Sequence, residues 1–260
     1  MSDCGPEPDG EADFFNDRSS AWGQPQFPPR MPKRRTVASI PAEPTASQLL
    51  QGQSKRGRVI KRAGDIVFSL LVLVLGSPLF LLLALLVKLS SRGSVFYSQR
   101  RIGRGYKGFG CLKFRTMRKD ADRVLAAVLA SDPALRAEFE RDHKLRNDPR
   151  ITPIGKVLRR SSLDELPQFV NVLKGQMSVV GPRPIVWDEL PRYGERMDQV
   201  LSVRPGLTGL WQVSGRNNLS YETRVKMDLY YVGHRNFWLD LRILLRTVGV
   251  VLLPMDRGAY

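Results

Sequence analysis

The segment from Ile66 to Leu89, IVFSLLVLVLGSPLFLLLALLVKL, does most to narrow what this chain can fold into. About 20 apolar residues suffice to cross a bilayer as a helix, so its length alone predicts a span. Gly76-Ser77-Pro78 sits at its centre. Proline there removes a backbone donor and clashes with the preceding turn, so a kink or break is predicted. Both flanks are basic: Lys55, Arg56, Arg58, Lys61 and Arg62 before it, and Arg92, Arg100, Arg101, Arg104 and Lys107 after it. Basic residues stay on the cytoplasmic side, so a simple span should carry them on one flank only. Together these features fit a re-entrant helix that enters one leaflet, turns at Ser77-Pro78 and leaves on the same face. An ordinary proline-kinked span is the competing reading of the same residues.

A formal charge of +16 suits nucleic acid, an anionic membrane surface or phosphorylated substrates. The apolar segment favours the membrane, because juxtamembrane Lys and Arg are attracted to anionic lipids by about 1 kcal/mol each. A nucleic-acid module would leave that segment unexplained, so no nucleic-acid partner is expected. Cys4 and Cys111 provide neither a disulfide framework nor metal-ligand spacing. With His143 and His234 the only histidines, a His-rich metal site is excluded and a Ser-His pair is disfavoured. The apolar segment begins far from Met1, unlike a cleaved signal peptide.

Three regions are expected. Residues 1–57, rich in Pro, Gly, Ser, Asp and Glu, bury too little to offset their ordering entropy and read as a disordered tail. Residues 58–93 form the re-entrant membrane element. Residues 94–260 read as a small mixed, helix-rich α/β domain with an interfacial C-terminal helix. Within it, residues 94–99 and 111–117 read as strands of a short hairpin around a glycine-rich loop. Two charged helices over 118–146 are separated at Pro133, with Ser131 or Asp132 as the cap of the second. Two short helices follow near 155–174, then Ser178-Val-Val, a helix near 187–202, a strand and loop over 211–217, and a helix over 221–232. The last segment, 237–253, is apolar but carries Asp240, Arg242 and Arg246, which suits an amphipathic helix lying in the interface.

Four constellations carry chemistry. In Arg159-Arg160-Ser161-Ser162-Leu163-Asp164-Glu165, Ser162-x-x-Glu165 reads as a capping box, with Asp164 as an alternative cap because of Pro167. The functional reading uses one of the adjacent carboxylates, Asp164 and Glu165, for nucleophilic or metal work and the other for proton transfer or metal support. Arg159 and Arg160 are near enough to neutralise a phosphate. In Gly181-Pro182-Arg183-Pro184 the prolines restrict the backbone and so aim Arg183. A surface turn is the alternative. A basic run, Gln99 to Arg104 with Lys113, Phe114, Arg115 and Thr116, follows the membrane segment closely, at the depth of a lipid phosphate; plain lipid attraction would also explain it. Arg204-Pro205-Gly206 with Trp211 to Asn217, including Arg216, offers an aromatic, amides and an Arg to a nucleotide, although a core Trp is the commoner use.

In order and spacing, KRAGDIVFS, the Ser77-Pro78 break, YSQRRIGRGYKGFGCLKFRTM, DPRITPIGKVLRRSSLDELPQFVNVLKGQMSVVGPRP, RPGLTGLWQVSGRN and the closing YYV-to-LRILLRT segment resemble the monotopic phosphoglycosyl transferases, the bacterial sugar transferase family. The resemblance runs from Lys61 to the C-terminus. It implies a re-entrant helix broken at Ser-Pro and a catalytic domain on the cytoplasmic face of the bacterial inner membrane. It also implies transfer of a sugar phosphate from a nucleotide sugar to a polyprenyl phosphate. By position, Asp164 is then the nucleophile and Glu165 its dyad partner. Arg159 and Arg183 are the implied anion contacts, with Lys113, Arg115 and Arg216 as further substrate-binding candidates. Magnesium is the implied cofactor, with Asp164 as its ligand. The small exopolysaccharide-initiating members are the nearest in form, so UDP-galactose or UDP-glucose and undecaprenyl phosphate are the expected substrates. An N-acetylamino sugar, or a non-catalytic scaffold of the same fold, is the alternative. Anionic inner-membrane lipids are expected partners, and a homodimer is left open.

Overall fold

The computed structural model describes residues 55–252 apart from 143, 144, 146, 216 and 217. The expected disordered tail lies outside the described residues, except that residues 55–57 already belong to the first helix.

The apolar segment forms two helices, α1 (Lys55–Leu75) and α2 (Ser77–Ser90), bent by 65°. Among the described residues no single helix is long and apolar enough to cross a membrane; only this bent pair passes by length and composition. The bend sits on Gly76, where a Cβ would stand 2.5 Å from the Val72 carbonyl oxygen, so only glycine fits. Its amide still donates to Val72 O at 2.9 Å, and Phe80 N donates to Gly76 O at 2.9 Å. Ser77 Oγ donates to Val74 O at 2.8 Å, covering a carbonyl at the end of α1. Pro78 falls in the first turn of α2, where the missing N–H would have been unpaired anyway. The bend therefore leaves few orphaned backbone groups.

One face of the pair packs on the rest of the molecule. Leu83 and Val87 join Phe114 and Leu158 in a buried cluster, with Phe80, Leu163 and Leu166 against it. The other face leaves Leu71, Val74, Leu75, Leu81, Leu82 and Leu85 exposed. The base of α1 is tied down by polar contacts. Buried Asp65 accepts from Lys61 Nζ at 2.7 Å and Ser178 Oγ at 2.8 Å. Arg62 donates to Val172 O and Leu173 O at 2.7 and 3.1 Å.

Strands β1 (Phe96–Ile102) and β2 (Gly108–Phe114) pair antiparallel, from Phe96↔Phe114 to Ile102↔Gly108. The expected hairpin is present, but its strands reach further into the glycine-rich loop and stop earlier at Phe114. The Gly103 amide donates to Lys107 O at 2.8 Å and closes the turn tightly, with Gly105 and Tyr106 at positive φ. Pairing starts at Ile102 and Gly108; past Phe114 the Arg115 amide still donates to Val95 O at 2.9 Å, and Met117 bridges to Ile151.

Helices α3 (Ala121–Ser131) and α4 (Pro133–Asp142) are separated at Asp132, whose Oδ1 accepts from Ala134 N at 2.8 Å and Leu135 N at 3.2 Å. Next come α5 (Pro153–Ser161), a 3-10 turn (Leu163–Glu165) and α6 (Gln168–Leu173). Strand β3 (Ser178–Val180) pairs parallel with β4 (Gly206–Thr208). Two expectations fail between and after them. The helix expected over 187–202 is a chain of short helical turns, because Pro191 and Gly194, at φ 56°, interrupt it. Trp211–Val213 is a 3-10 turn and not a strand; three apolar residues between Gly209 and Gly215 carry no decisive period. Helices α7 (Tyr221–His234) and α8 (Phe237–Leu252) complete the described chain. The central core joins Cys111 of β2, Phe169 and Val172 of α6, Val179 and Val180 of β3, Tyr231 of α7 and Ile243 of α8.

Candidate active site

The capping box expected at Ser162-x-x-Glu165 does not form. Ser162 adopts φ 58°, ψ 15° and ends α5, its amide donating to Arg159 O. Its side chain caps nothing, and α6 begins only at Gln168. Asp164 is not a helix cap either. It lies inside the 3-10 turn, with its own residue surface 7% exposed. A buried carboxylate that caps no helix is costly unless charges meet it.

Those charges come from two elements. Lys113, on β2, places Nζ 2.7 Å from Glu165 Oε1 and 3.9 Å from Asp164 Oδ2. Arg159, two residues from the end of α5, is the other cation acting on Asp164. Burial pushes the Asp164 carboxyl up to about 6, against the lowering by Lys113 and with the raising by Glu165. The Arg159 guanidinium is lowered by burial, and Asp164 and Asp148 oppose that. Its Nε donates to Thr116 Oγ1 at 2.8 Å.

The Pro-Arg-Pro turn is set by the small parallel sheet. Gly181 N donates to Thr208 O at 2.9 Å, and Gly206 N to Pro182 O at 2.7 Å. A Cβ on Gly206 would collide with the Gly181 backbone, so the two chains approach as only glycines allow. Half-buried Arg183 stacks over Trp211, its Cζ 5.8 Å from the ring centroid. Its charge bears on Arg101 and Cys111, groups that also feel Glu165. Its charge also bears on Tyr221 and Asp228.

Other expected residues lie elsewhere. Arg115 Nη2 donates to Ser91 O at 2.6 Å and Ser91 Oγ at 2.9 Å, so its guanidinium is tied to the chain leaving α2. Arg216 is outside the described residues. Arg101, grouped with a headgroup-facing basic run, is in fact buried: it donates to Pro184 O at 3.2 Å and Gln99 Oε1 at 2.8 Å. The sequence reading also missed Asp148, which holds Arg150 through contacts of 2.6 to 3.0 Å beside Arg159. The spacing in DPR was the only available signal, since an acid two residues before an Arg can close on it. Cys111 is no nucleophile: burial pushes its thiol up to about 11.

Among the described residues no group of three or more His, Cys, Asp or Glu is placed to hold a metal. Asp164 and Glu165 supply two carboxylates. That set fits magnesium, which commonly takes one or two carboxylates and completes its shell with water and substrate phosphate oxygens.

A buried Asp164 beside a half-buried Glu165, at a turn attended by Lys113 and Arg159 and near a bent apolar helix pair, makes a candidate anion-handling site. The model of the family described as bacterial sugar transferase matches residues 56–254, and the chain belongs to that family. An uncharacterized sugar transferase of Haemophilus influenzae is 55% identical over 203 residues, covering 78% of this chain and 42% of that protein. The exopolysaccharide production protein ExoY of Sinorhizobium fredii is 50% identical over 204 residues, covering 78% of this chain and 89% of that protein. The undecaprenyl-phosphate galactose phosphotransferase of Salmonella typhimurium is 51% identical over 206 residues, covering 79% of this chain and 43% of that protein. The chain thus spans less than half the length of two of these relatives and most of the third.

Proposed function

We propose that this chain transfers hexose 1-phosphate from UDP-galactose or UDP-glucose to undecaprenyl phosphate, as the first membrane step of exopolysaccharide synthesis. The observation that carries the reading is the placement of Asp164: buried, off any helix cap, 3.9 Å from Lys113 Nζ and within reach of the Arg159 charge. The names of the Salmonella and Sinorhizobium relatives support the acceptor and the pathway.

In the first step an Asp164 carboxylate oxygen attacks the phosphorus that bears the sugar. A new carboxyl O–P bond forms as the anhydride bond to the uridine monophosphate breaks, and UMP leaves with the electron pair. In the second step an oxygen of undecaprenyl phosphate attacks the same phosphorus. The acyl phosphate bond breaks and Asp164 is regenerated as a carboxylate. Lys113, Arg159 and Arg183 supply positive charge where phosphoryl oxygens gather negative charge. Glu165 holds Lys113 close, and so keeps a cation beside the nucleophile. Asp164, with Glu165 in support, would hold magnesium, which neutralises phosphate charge when bound.

The apolar pair α1–α2 is read as re-entering one leaflet, with the catalytic domain on the cytoplasmic face of the inner membrane. The 65° bend, the exposed apolar outer face and basic residues on both flanks support this. Helix α8 is read as interfacial: Phe237, Trp238, Leu245 and Val248 are exposed beside Arg242 and Arg246. Aromatic and basic residues together suit the headgroup boundary.

The test is incubation with a panel of UDP-sugars and undecaprenyl phosphate in magnesium, scoring UMP. UDP-sugar without acceptor should leave sugar phosphate on the protein, and Asp164→Asn should abolish both adduct and turnover. Full turnover in that variant would refute the covalent reading.

A further inference from the structure

Thr116 follows β2, at the junction where the chain leaves the hairpin. Its backbone and its side chain do two separate things. The carbonyl accepts from Thr152 N at 3.0 Å, and Met117 and Ile151 form an antiparallel bridge alongside. Thr152 is the N-cap of α5, its Oγ1 accepting from Gly155 N at 3.0 Å. The Thr116 backbone therefore holds the start of α5 against the end of β2. The approach is so close that a Cβ on Gly155 would collide with the Thr116 carbonyl. Residues four apart lie on one helix face, so Arg159 stands one turn above Gly155 on the face turned to Thr116. The Thr116 hydroxyl accepts from Arg159 Nε at 2.8 Å, and Thr116 is 6% exposed.

We propose that Thr116 is a positioning residue: its hydroxyl holds the Nε edge of Arg159, so that the terminal guanidinium nitrogens are presented to Asp164 and to the phosphate Asp164 attacks. An arginine has several rotatable bonds, and its charge serves a phosphate only in one orientation of the planar fork. A hydrogen bond at Nε fixes that plane and leaves both terminal nitrogens available. The other acid near Arg159, Asp148, is engaged by Arg150 through both of its carboxylate oxygens. Thr116 is thus the neutral partner that orients Arg159 without neutralising it. This rests on the reading of Asp164 as the attacking group.

The experiment uses the full chain in lipid nanodiscs with UDP-sugar, undecaprenyl phosphate and magnesium. Thr116→Val, Thr116→Ser, Arg159→Lys and the double variant Thr116→Val/Arg159→Lys are compared by UMP release, by calorimetric affinity for UDP and by melting temperature. Thr116→Val should lose about tenfold or more in kcat/KM, the scale of one lost hydrogen bond to a charged group. Thr116→Ser, which keeps the oxygen, should stay within about threefold of the parent. In the Arg159→Lys background the valine change should cost under about threefold, because the group it orients is gone. Equal losses in both backgrounds, or a Thr116→Val variant matching the parent, would overturn the proposal. If Thr116→Val does not fold, Thr116→Ala and Thr116→Ser are compared by the same cycle. A parent that binds UDP but releases no UMP with any sugar would refute the transferase reading instead; weaker UDP binding by Thr116→Val would then still support the positioning of Arg159, and unchanged binding would overturn it.

Discussion

Lys113 Nζ sits 2.7 Å from Glu165 Oε1 and only 3.9 Å from Asp164 Oδ2, so one ammonium is shared unequally by two adjacent carboxylates. The shorter contact anchors the lysine on Glu165. The longer one leaves Asp164 near a positive charge without a direct hydrogen bond to it, which suits the role of nucleophile proposed for it.

Burial raises the Asp164 carboxyl to about 6, and Lys113 opposes that rise. In the proposed mechanism the attacking form is the carboxylate, so activity should fall as pH drops through the Asp164 ionisation. Lys113→Met removes the opposing charge and should move the acid limb of the kcat/KM profile to higher pH. An acid limb that stays in place or moves down would show that Lys113 does not set the ionisation of Asp164.

Arg183→Lys keeps the charge and loses the planar fork that stacks on Trp211. Turnover should drop at least about tenfold, since a lost charge-assisted contact is worth roughly 1.5–3 kcal/mol. Folding should be nearly unchanged, because the turn is held by backbone bonds from Gly181 and Gly206. A lysine variant equal to the parent in turnover and UDP-sugar affinity would make Arg183 a turn residue only.

Cysteines introduced near Ser54 and near Tyr106 should react with a membrane-impermeant reagent from the same, cytoplasmic, side. Labelling from opposite sides would replace the re-entrant pair by a span. In a continuous helix Pro78 would be an interior residue costing about 3 kcal/mol, so Pro78→Leu should favour straightening.

Asp228 is fully buried, Tyr193 Oη donates to its Oδ2 at 3.2 Å, and burial pushes its carboxyl up to about 8. In the unfolded chain the same group titrates at about 3.9. Between these values the folded state holds the proton that the unfolded state releases. Stability from this group is therefore greatest at low pH and declines as pH rises toward 8. Asp228→Asn cannot lose that proton, so its stability relative to the parent should improve with pH, by up to about 4 kcal/mol between pH 5 and pH 8 in denaturant titrations. A gap independent of pH would show that Asp228 is ionised in the folded state.

Local chemistry was readable in the chain. A proline and a glycine inside an apolar run act on their own backbone, so the break between α1 and α2 was visible from Gly76 to Pro78. Asp132-Pro133 marked the start of α4 for the same reason. The adjacent acids Asp164-Glu165 and the enclosed Arg183 were visible as candidates because their neighbours in sequence are also their local surroundings. Cap assignment failed at Ser162 because a left-handed turn, imposed by how α5 meets the core, replaced the extended cap geometry.

Relations across the fold could not be read this way. Lys113 and Glu165 are 52 positions apart, and Arg159 and Thr116 are 43 apart; only the docking of α5 and its following turn on β2 joins them. Arg115 shows the limit most clearly. A strand running to Met117 would alternate its side chains and put Lys113 and Arg115 on one face. The Arg115 backbone still pairs with Val95, but its guanidinium is held by Ser91 at the chain leaving α2. Residue type and spacing therefore settled the bent apolar element, the family motifs and the candidate acids. Which cations meet those acids depended on strand register and helix docking, because a side chain's partners are set by contacts between segments and not by its neighbours along the chain.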